Sequence, residues 1–434
     1  MKWHQRFFWL LLLFLPTQLG YHFWPDWAGV LGRRVDYLAP TVYLTDILIL
    51  LTLSSWFVSQ KSKIQIKNTI WKLLSPLGIA AIFITANTLA ATSPLVALYK
   101  WIKVMEFVLL GWYIVKTKPR FAVIVTPLSI GVFYSSILAI TQFVLQHSVG
   151  GPLWWLGERT FDVGTPGIAR IPLRLEFGIW NLEFGLKMRP YATFPHPNVL
   201  GGFLAAVLPL VVVRYLGNLR NLRKKMKLFY GTVILVGIIA LLLTFSRSGI
   251  VVGGMAIVMA IARIKNYESG IMKNKRLIVL ILIGFFALLP TSYFMIHNST
   301  EESVVVRQQL NAAAIKLWQS SPLFGVGLGN FLVRLPEALP TRTIYFLQPV
   351  HNIYLLLLSE VGIVGIGLIV FFIVTLLNHE SGIMKYGKDK TKFIIHTSLF
   401  VILVLGLVDH YPLSLQQGQL LLTVLAGMSV LSVH

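Results

Sequence analysis

The 434-residue chain contains no cysteine, so neither a disulfide framework nor a thiolate metal site is open to it. Charge is scarce as well. Asp, Glu, Lys and Arg make up 12% of the residues, about half the share of an average soluble domain. Acidic residues are the scarcer part, 16 against 38 Lys and Arg, and no Asp-x-Asp sequence occurs. A metal-bound nucleotide-sugar site or a carboxylate-pair glycosidase needs acidic groups that this chain does not offer in the right places. Apolar residues are plentiful: 56% of the chain is hydrophobic, about what twelve bilayer-spanning helices of ~20 residues would consume. A soluble enzyme, a nucleic-acid binder and a disordered chain are all excluded. The net charge of +22 is then largely a topology signal, and the expected fold class is all-α, a polytopic integral membrane protein.

Apolar runs between charged or turn-rich breaks predict spans at about 5–20, 40–59, 73–92, 94–115, 121–146, 198–216, 228–246, 249–264, 277–296, 350–377, 393–409 and 416–433. The run Phe7–Leu15 follows Lys2 and Arg6 as a signal peptide would. It lacks a clean small-x-small cleavage site and further spans follow it, so it reads as a retained first helix. With the N-terminus inside, short inside segments hold 24 of the 38 Lys and Arg. Both termini are therefore expected in the cytoplasm, with residues 1–434 forming one membrane domain.

Long outside stretches are expected at 21–39, 147–195 and 297–349, the last two rich in Pro, Gly and Trp with isolated arginines. Ser299-Thr300-Glu301-Glu302 is a capping-box pattern, and Val306, Leu310, Ala313, Ala314 and Leu317 recur at helical spacing before Ser321-Pro322. That predicts an amphipathic helix lying over the outer membrane face. Glu-Ser-Gly-Ile-Met-Lys occurs twice, at 268–273 and 380–385, without a larger repeat around it.

Charged side chains near a bilayer centre cost about 2.5–3.5 kcal/mol, which makes them functional suspects. Lys100, Lys103 and Glu106 share one stripe of the fourth span. Lys103 and Glu106 read as a neutralised pair, while Lys100 has no partner in sequence and suits a bound anion. Arg247 lies in Ser246-Arg247-Ser248-Gly249, a short break between two spans. It either snorkels to headgroups or joins a helix N-terminus in holding a phosphate. Arg307 sits on the amphipathic helix. Arg189-Pro190-Tyr191-Ala192-Thr193-Phe194-Pro195-His196-Pro197-Asn198 reads as a fixed turn aiming His196 and Asn198 at the membrane rim. His351 and Asn352 open the tenth span, where a histidine can serve as general base. Gly362 and Gly365, on the same helix, suit close helix approach. Phe324-Gly325-Val326-Gly327-Leu328-Gly329 lacks the strand and the Lys-Ser/Thr of a nucleotide loop.

Together these motifs resemble the O-antigen ligase and O-antigen polymerase superfamily of bacterial envelope proteins. His351-Asn352, nine residues, then Gly362-Ile363-Val364-Gly365 is similar to the ligase signature. Ser246-Arg247-Ser248-Gly249 resembles the family's Ser-Arg element, and Pro322-Leu323-Phe324-Gly325-Val326-Gly327 its Pro-x-x-Gly-x-Gly stretch. Thr193-Phe194-Pro195-His196-Pro197-Asn198 matches the turn before the middle span, where the family usually has Gly in place of Ala192.

The resemblance implies a GT-C-like membrane glycosyltransferase of the bacterial cytoplasmic (inner) membrane, working on its extracytoplasmic side. Its donor would be an undecaprenyl-diphosphate-linked glycan, and its acceptor a glycolipid or a second lipid-linked glycan, ligase and polymerase standing nearly equal. Arg247 and Arg307 match the arginines that bind the donor diphosphate, and His351 the histidine proposed to activate the acceptor hydroxyl. Arg189, His196, Asn198, Lys100 and Asn352 are the expected substrate-binding residues. No cofactor, metal or nucleic acid is expected, and the bilayer is the remaining partner. A transporter of an anionic solute is the rival of another class. It is disfavoured because no pair of Gly/Pro-broken spans occupies matching positions in two halves.

Overall fold

The computed structural model describes residues 1–60, 66–177, 180–217, 222–265, 300–339, 347–381 and 390–430. Eleven of the twelve predicted spans coincide with helices. These are α1 (Trp3–Leu13), α2 (Leu44–Gln60), α3 (Ile66–Leu89), α4 (Pro94–Thr117), α5 (Phe121–Leu145), α6 (Pro197–Leu216), α7 (Lys224–Leu243) and α8 (Arg247–Lys265). After α9 (Thr300–Ser320) and α10 (Phe331–Ala338) come α11 (Ile353–Ser381), α12 (Lys390–Leu405), the single turn α13 (Tyr411–Ser414) and α14 (Gln416–Ser429). The predicted span 277–296, the first Glu-Ser-Gly-Ile-Met-Lys copy and most of the second lie outside the described residues. Among the described residues, five helices, α5 to α8 and the first 22 residues of α11, are long and apolar enough to cross a membrane. The chain is a helical membrane protein.

Two expectations need correction. The retained first helix is only 11 residues, roughly 16 Å, and cannot cross a ~30 Å hydrocarbon core alone. It ends before Pro16, which packs against Gly131 of α5. Nor is the fold purely helical. Among the described residues, three two-stranded antiparallel pairs occur: β1 (Gly20–His22) with β4 (Thr41–Tyr43), β2 (Gly29–Val30) with β3 (Arg33–Arg34), and β5 (Arg170–Phe177) with β6 (Trp180–Met188). All lie in the long connections, where strand pairing satisfies backbone groups that no helix covers.

Helix α6 is apolar on every side and is buried almost throughout, as a helix without a polar face must be. It packs against α5, α7, α8 and α12. Small residues set the α6–α8 distance: a Cβ on Gly253 would lie 2.7 Å from the Ala205 Cβ, and one on Gly201 2.9 Å from that of Ser246. The amphipathic α9 buries Leu310, Ala313, Ala314 and Leu317, as their spacing predicts, and packs on α10 and α11.

Where α2, α4 and α14 meet, Lys103 Nζ lies 2.6 Å from Asp46 Oδ1 and 2.7 Å from Glu106 Oε2. Gln416 donates to Thr45 Oγ1 at 3.0 Å and also to Asp46. The expected Lys103–Glu106 pair exists, but as part of a three-charge group.

The Gly362–Gly365 motif does more than permit close approach. Gly362 has φ +64° and ψ −172°, which breaks α11 in two. The segment Pro322–Gly327 pairs with the unwound stretch. Val326 N–H donates to Ser359 O (2.9 Å), Gly327 N–H to Glu360 O (3.0 Å), Ile363 N–H to Pro322 O (3.0 Å) and Val364 N–H to Leu323 O (3.1 Å). Asn87 of α3 seals the joint, donating to Phe324 O and Glu360 O and accepting from Leu328 N–H. Inside a bilayer such freed backbone groups must find partners, and this segment supplies them.

A Cβ at Gly362 would lie 2.4 Å from Leu323 O, whereas one at Gly367 meets nothing within 4 Å. Gly362→Ala is expected to lower stability by on the order of 3 kcal/mol through strain and clash. Gly367→Ala should stay within ~1 kcal/mol of the native protein. Thermal unfolding in detergent measures both. Lys103→Met should cost about 3 kcal/mol by the same assay, since it leaves two half-buried carboxylates facing each other. Lys116→Met, at an exposed position, should stay within ~0.5 kcal/mol.

Candidate active site

The connection before α6 is held rigidly. Gln142 Oε1 accepts from Tyr191 N–H (3.1 Å) and Ala192 N–H (2.7 Å), and Gln417 donates to Pro16 O and Thr193 O. Ala192 has φ +50°, the left-handed region that favours glycine, which accounts for the glycine usual in the resembling turn. The turn delivers Arg189, whose Nε donates to Thr244 O and whose guanidinium reaches Asn198 Oδ1, both at 2.7 Å. His196 caps α6, its Nδ1 accepting from Asn198 N–H at 3.1 Å.

Asn198 Nδ2 in turn donates to Asp409 Oδ2 (3.4 Å). Asp409 also accepts from its neighbour's backbone, His410 N–H, at 2.8 Å. Its Oδ1 lies 3.8 Å from His351 Nδ1, longer than a hydrogen bond, and that ring nitrogen is buried with no other partner. The His351 and His410 rings stand 5.0 Å apart, and His410 Nδ1 bonds to Ser414 Oγ.

Arg247 is the first residue of α8. The Thr244-Phe245-Ser246 turn precedes it, with Phe245 at φ +49° and Ser246 Oγ accepting from Gly249 N–H. Arg307 projects from α9. Both guanidiniums are near enough for their charges to act on Arg189, and that of Arg307 also acts on His410. Neither has a hydrogen-bond partner among the described residues, whereas Arg189 has two.

The structure thus brings Arg189, Arg247, Arg307, His196, Asn198 and His351 to one end of the bundle, together with Asp409 and His410, which the sequence reading passed over. Asp409 fell inside the predicted span 393–409. An acidic residue at the mouth of an apolar run, next to a histidine, was the available signal. Two expected substrate-binding residues have other duties. Asn352 Oδ1 accepts from Tyr354 N–H and Leu355 N–H, which caps α11. Lys100 stands apart from the cluster, its stem against Gly329 and its charge acting on Glu360, which accepts from Phe331 N–H.

Burial would push the Asp409 carboxyl up, but the surrounding histidines hold it well below the usual carboxylate range. Burial lowers His196 to about 3, with the nearby Arg189, His351 and His410 adding and Asp409 opposing. Burial likewise lowers His410 to about 4, opposed by Asp409 and aided by His351 and Arg307. Both imidazoles are therefore neutral near pH 7, facing an ionised Asp409. His351, Asp409 and His410 hold donor atoms within 4.8 Å of one another and are the metal-ligand set among the described residues. The arginines close by act against a cation there. The arrangement suits an anionic group held by arginine and a hydroxyl deprotonated by imidazole.

A histidine whose folded-state pKa lies below its unfolded value of ~6.5 loses stability as pH falls through that value toward the folded one. Unfolding midpoints are therefore expected to drop between pH 6.5 and pH 4. His196→Asn keeps a capping side chain without the titration, so a shallower decline is expected in a pH series of thermal melts.

No curated protein matches the chain. A family model described as O-antigen ligase matches residues 231–370, a stretch that includes Arg247, Arg307 and His351, with Arg189 and Asp409 outside it. Over that third of the chain, the protein is similar to the O-antigen ligase family.

Proposed function

We propose that this protein transfers a glycan from an undecaprenyl-diphosphate carrier to the hydroxyl of an acceptor glycolipid, as a metal-independent, inverting, ligase-type glycosyltransferase. The observation that carries the reading is the meeting of two uncommitted guanidiniums, Arg247 and Arg307, with the His351–Asp409 pair. Asp409 beside Nδ1 leaves His351 Nε2 free to take the acceptor's proton. The acceptor oxygen then attacks the anomeric carbon, and the bond to the diphosphate breaks with its electrons on the leaving oxygen. Arg247 and Arg307 neutralise the charge that builds there, and Arg189 orients the site through Asn198.

The reading includes a polytopic, GT-C-like layout in the bacterial cytoplasmic membrane, with outer connections at 147–195 and 297–349. Its support is the coincidence of eleven predicted spans with helices and the basic bias of the connections at the end opposite the site.

The test is transfer by the full-length protein in proteoliposomes, with an undecaprenyl-diphosphate-linked glycan as donor and a lipid A-core glycolipid as acceptor. Arg247→Ala or Arg307→Ala should each cost about 10²–10³ in rate. His351→Ala should cost about 10²–10⁴, and a chelator should change nothing. Absence of transfer by the native protein, or full transfer by all three variants, overturns the assignment.

A further inference from the structure

An open cleft of about 530 Å³, within the ~300–1,000 Å³ range of ligand sites, lies beside the reaction centre. It is lined by Arg33, Arg34, Val35, Asp36, Tyr37 and Leu347. The β2–β3 hairpin turns through Leu31 and Gly32, at φ +52° and +72°. Positive φ at both central residues suits the twist of a two-residue hairpin loop. This turn sets Arg33 and Arg34 as adjacent residues on one short strand, both exposed. The Arg34 guanidinium lies 5.5 Å over the Trp24 ring, and His22 stacks on the same indole at 5.6 Å. One of the two cations is thereby steadied on an aromatic support.

Tyr37 forms the wall between the cleft and the reaction centre. Its ring meets His410 edge-on at 5.5 Å, and the charges of Asp409, Asp36 and Arg159 all act on its hydroxyl. Leu347, which also lines the cleft, precedes His351 by four residues on the segment that delivers that histidine. The cleft therefore opens on the side of the base, and two arginines against one aspartate leave it positive. Donor binding uses none of these groups.

The geometry points to an acceptor-side subsite that takes a sugar carrying an anionic group, carboxylate or phosphate. Arg33 and Arg34 would hold the anion, and Tyr37, Val35 and Leu347 would supply apolar surface to the ring. The guanidinium fork matches either anion in bidentate fashion. An acceptor seated here approaches His351 from the side where its proton must go. This inference rests on the glycan-transfer reading above.

Calorimetric titration of the full-length protein in nanodiscs, with a tetrauronate, maltotetraose and inorganic phosphate as probes, tests it. The tetrauronate should bind at least tenfold more tightly than either other probe. R33Q/R34Q should weaken it at least tenfold, and R33K/R34K, which keeps the charge but loses the fork, should fall between. H351A should bind it unchanged while losing transfer. In the transfer assay, R33Q/R34Q should raise the acceptor KM about tenfold and leave the donor KM and kcat alone. Equal tetrauronate binding by R33Q/R34Q, or phosphate binding as tight as tetrauronate, overturns the subsite while transfer by the native protein stands. Tetrauronate binding without transfer overturns the transfer reading instead.

Discussion

The pairing of Pro322–Gly327 with the opened turn of α11 is the constraint on which the site depends. That segment follows directly from α9, so its hydrogen bonds to Ser359, Glu360, Ile363 and Val364 tie the helix carrying Arg307 to the helix that begins beside His351. Without that joint, the two groups would sit on helices linked only by apolar contact, which slides easily in a lipid-solvated bundle. Asn87 adds a third helix to the joint, fixing α3 to both partners. The glycines are required by geometry. At Gly325, as at Gly362, φ is positive and an added Cβ would overlap the opposing backbone.

Charged residues in the bundle divide by how they are compensated. Lys103 is balanced by Asp46 and Glu106, and Lys100 faces Glu360, so these groups brace helices against one another. Removing charges of this kind costs stability because each would leave a partner buried alone. Arg247 and Arg307 have no such partner, and the carboxylate near them, Asp409, is engaged by Asn198 and stands beside His351. On the proposed reading, such unbalanced cations on a rigid frame are what a binding surface requires.

Helix positions were readable from hydropathy because an apolar run of span length has few alternatives to a helix in lipid. The α9 face was readable for a related reason: its period of 3.6 reports one buried stripe. What sequence withheld was departure from regularity. Gly362 reads as a packing glycine until its φ is known, and a run such as 350–377 gives no sign that the helix is interrupted. Lys100 and Arg247 look alike in sequence, each a cation near a span end, and only the tertiary neighbour, Glu360 for Lys100, separates bracing from binding. Asp409 was hidden by its apolar surroundings, although burying a carboxylate at a helix end already requires a partner such as Asn198. The β2–β3 hairpin rests on Leu31 in a conformation that leucine disfavours, so no propensity rule announces it.

On the proposed reading, the charge balance also explains how one centre can serve two anionic substrates. Arg189, Arg247 and Arg307 outweigh Asp409, and the excess suits a diphosphate diester in the ground state. As the glycosidic bond breaks, negative charge grows on the leaving oxygen while the departing acceptor proton makes the imidazole cationic. Both changes improve the local electrostatics: the guanidiniums meet more negative charge, and Asp409 meets a protonated His351. Neighbouring His196 and His410 stay neutral through burial, so they add no cation to compete with His351 for that carboxylate. Interactions that strengthen only as the reaction proceeds lower its barrier, whereas those already complete in the ground state do not.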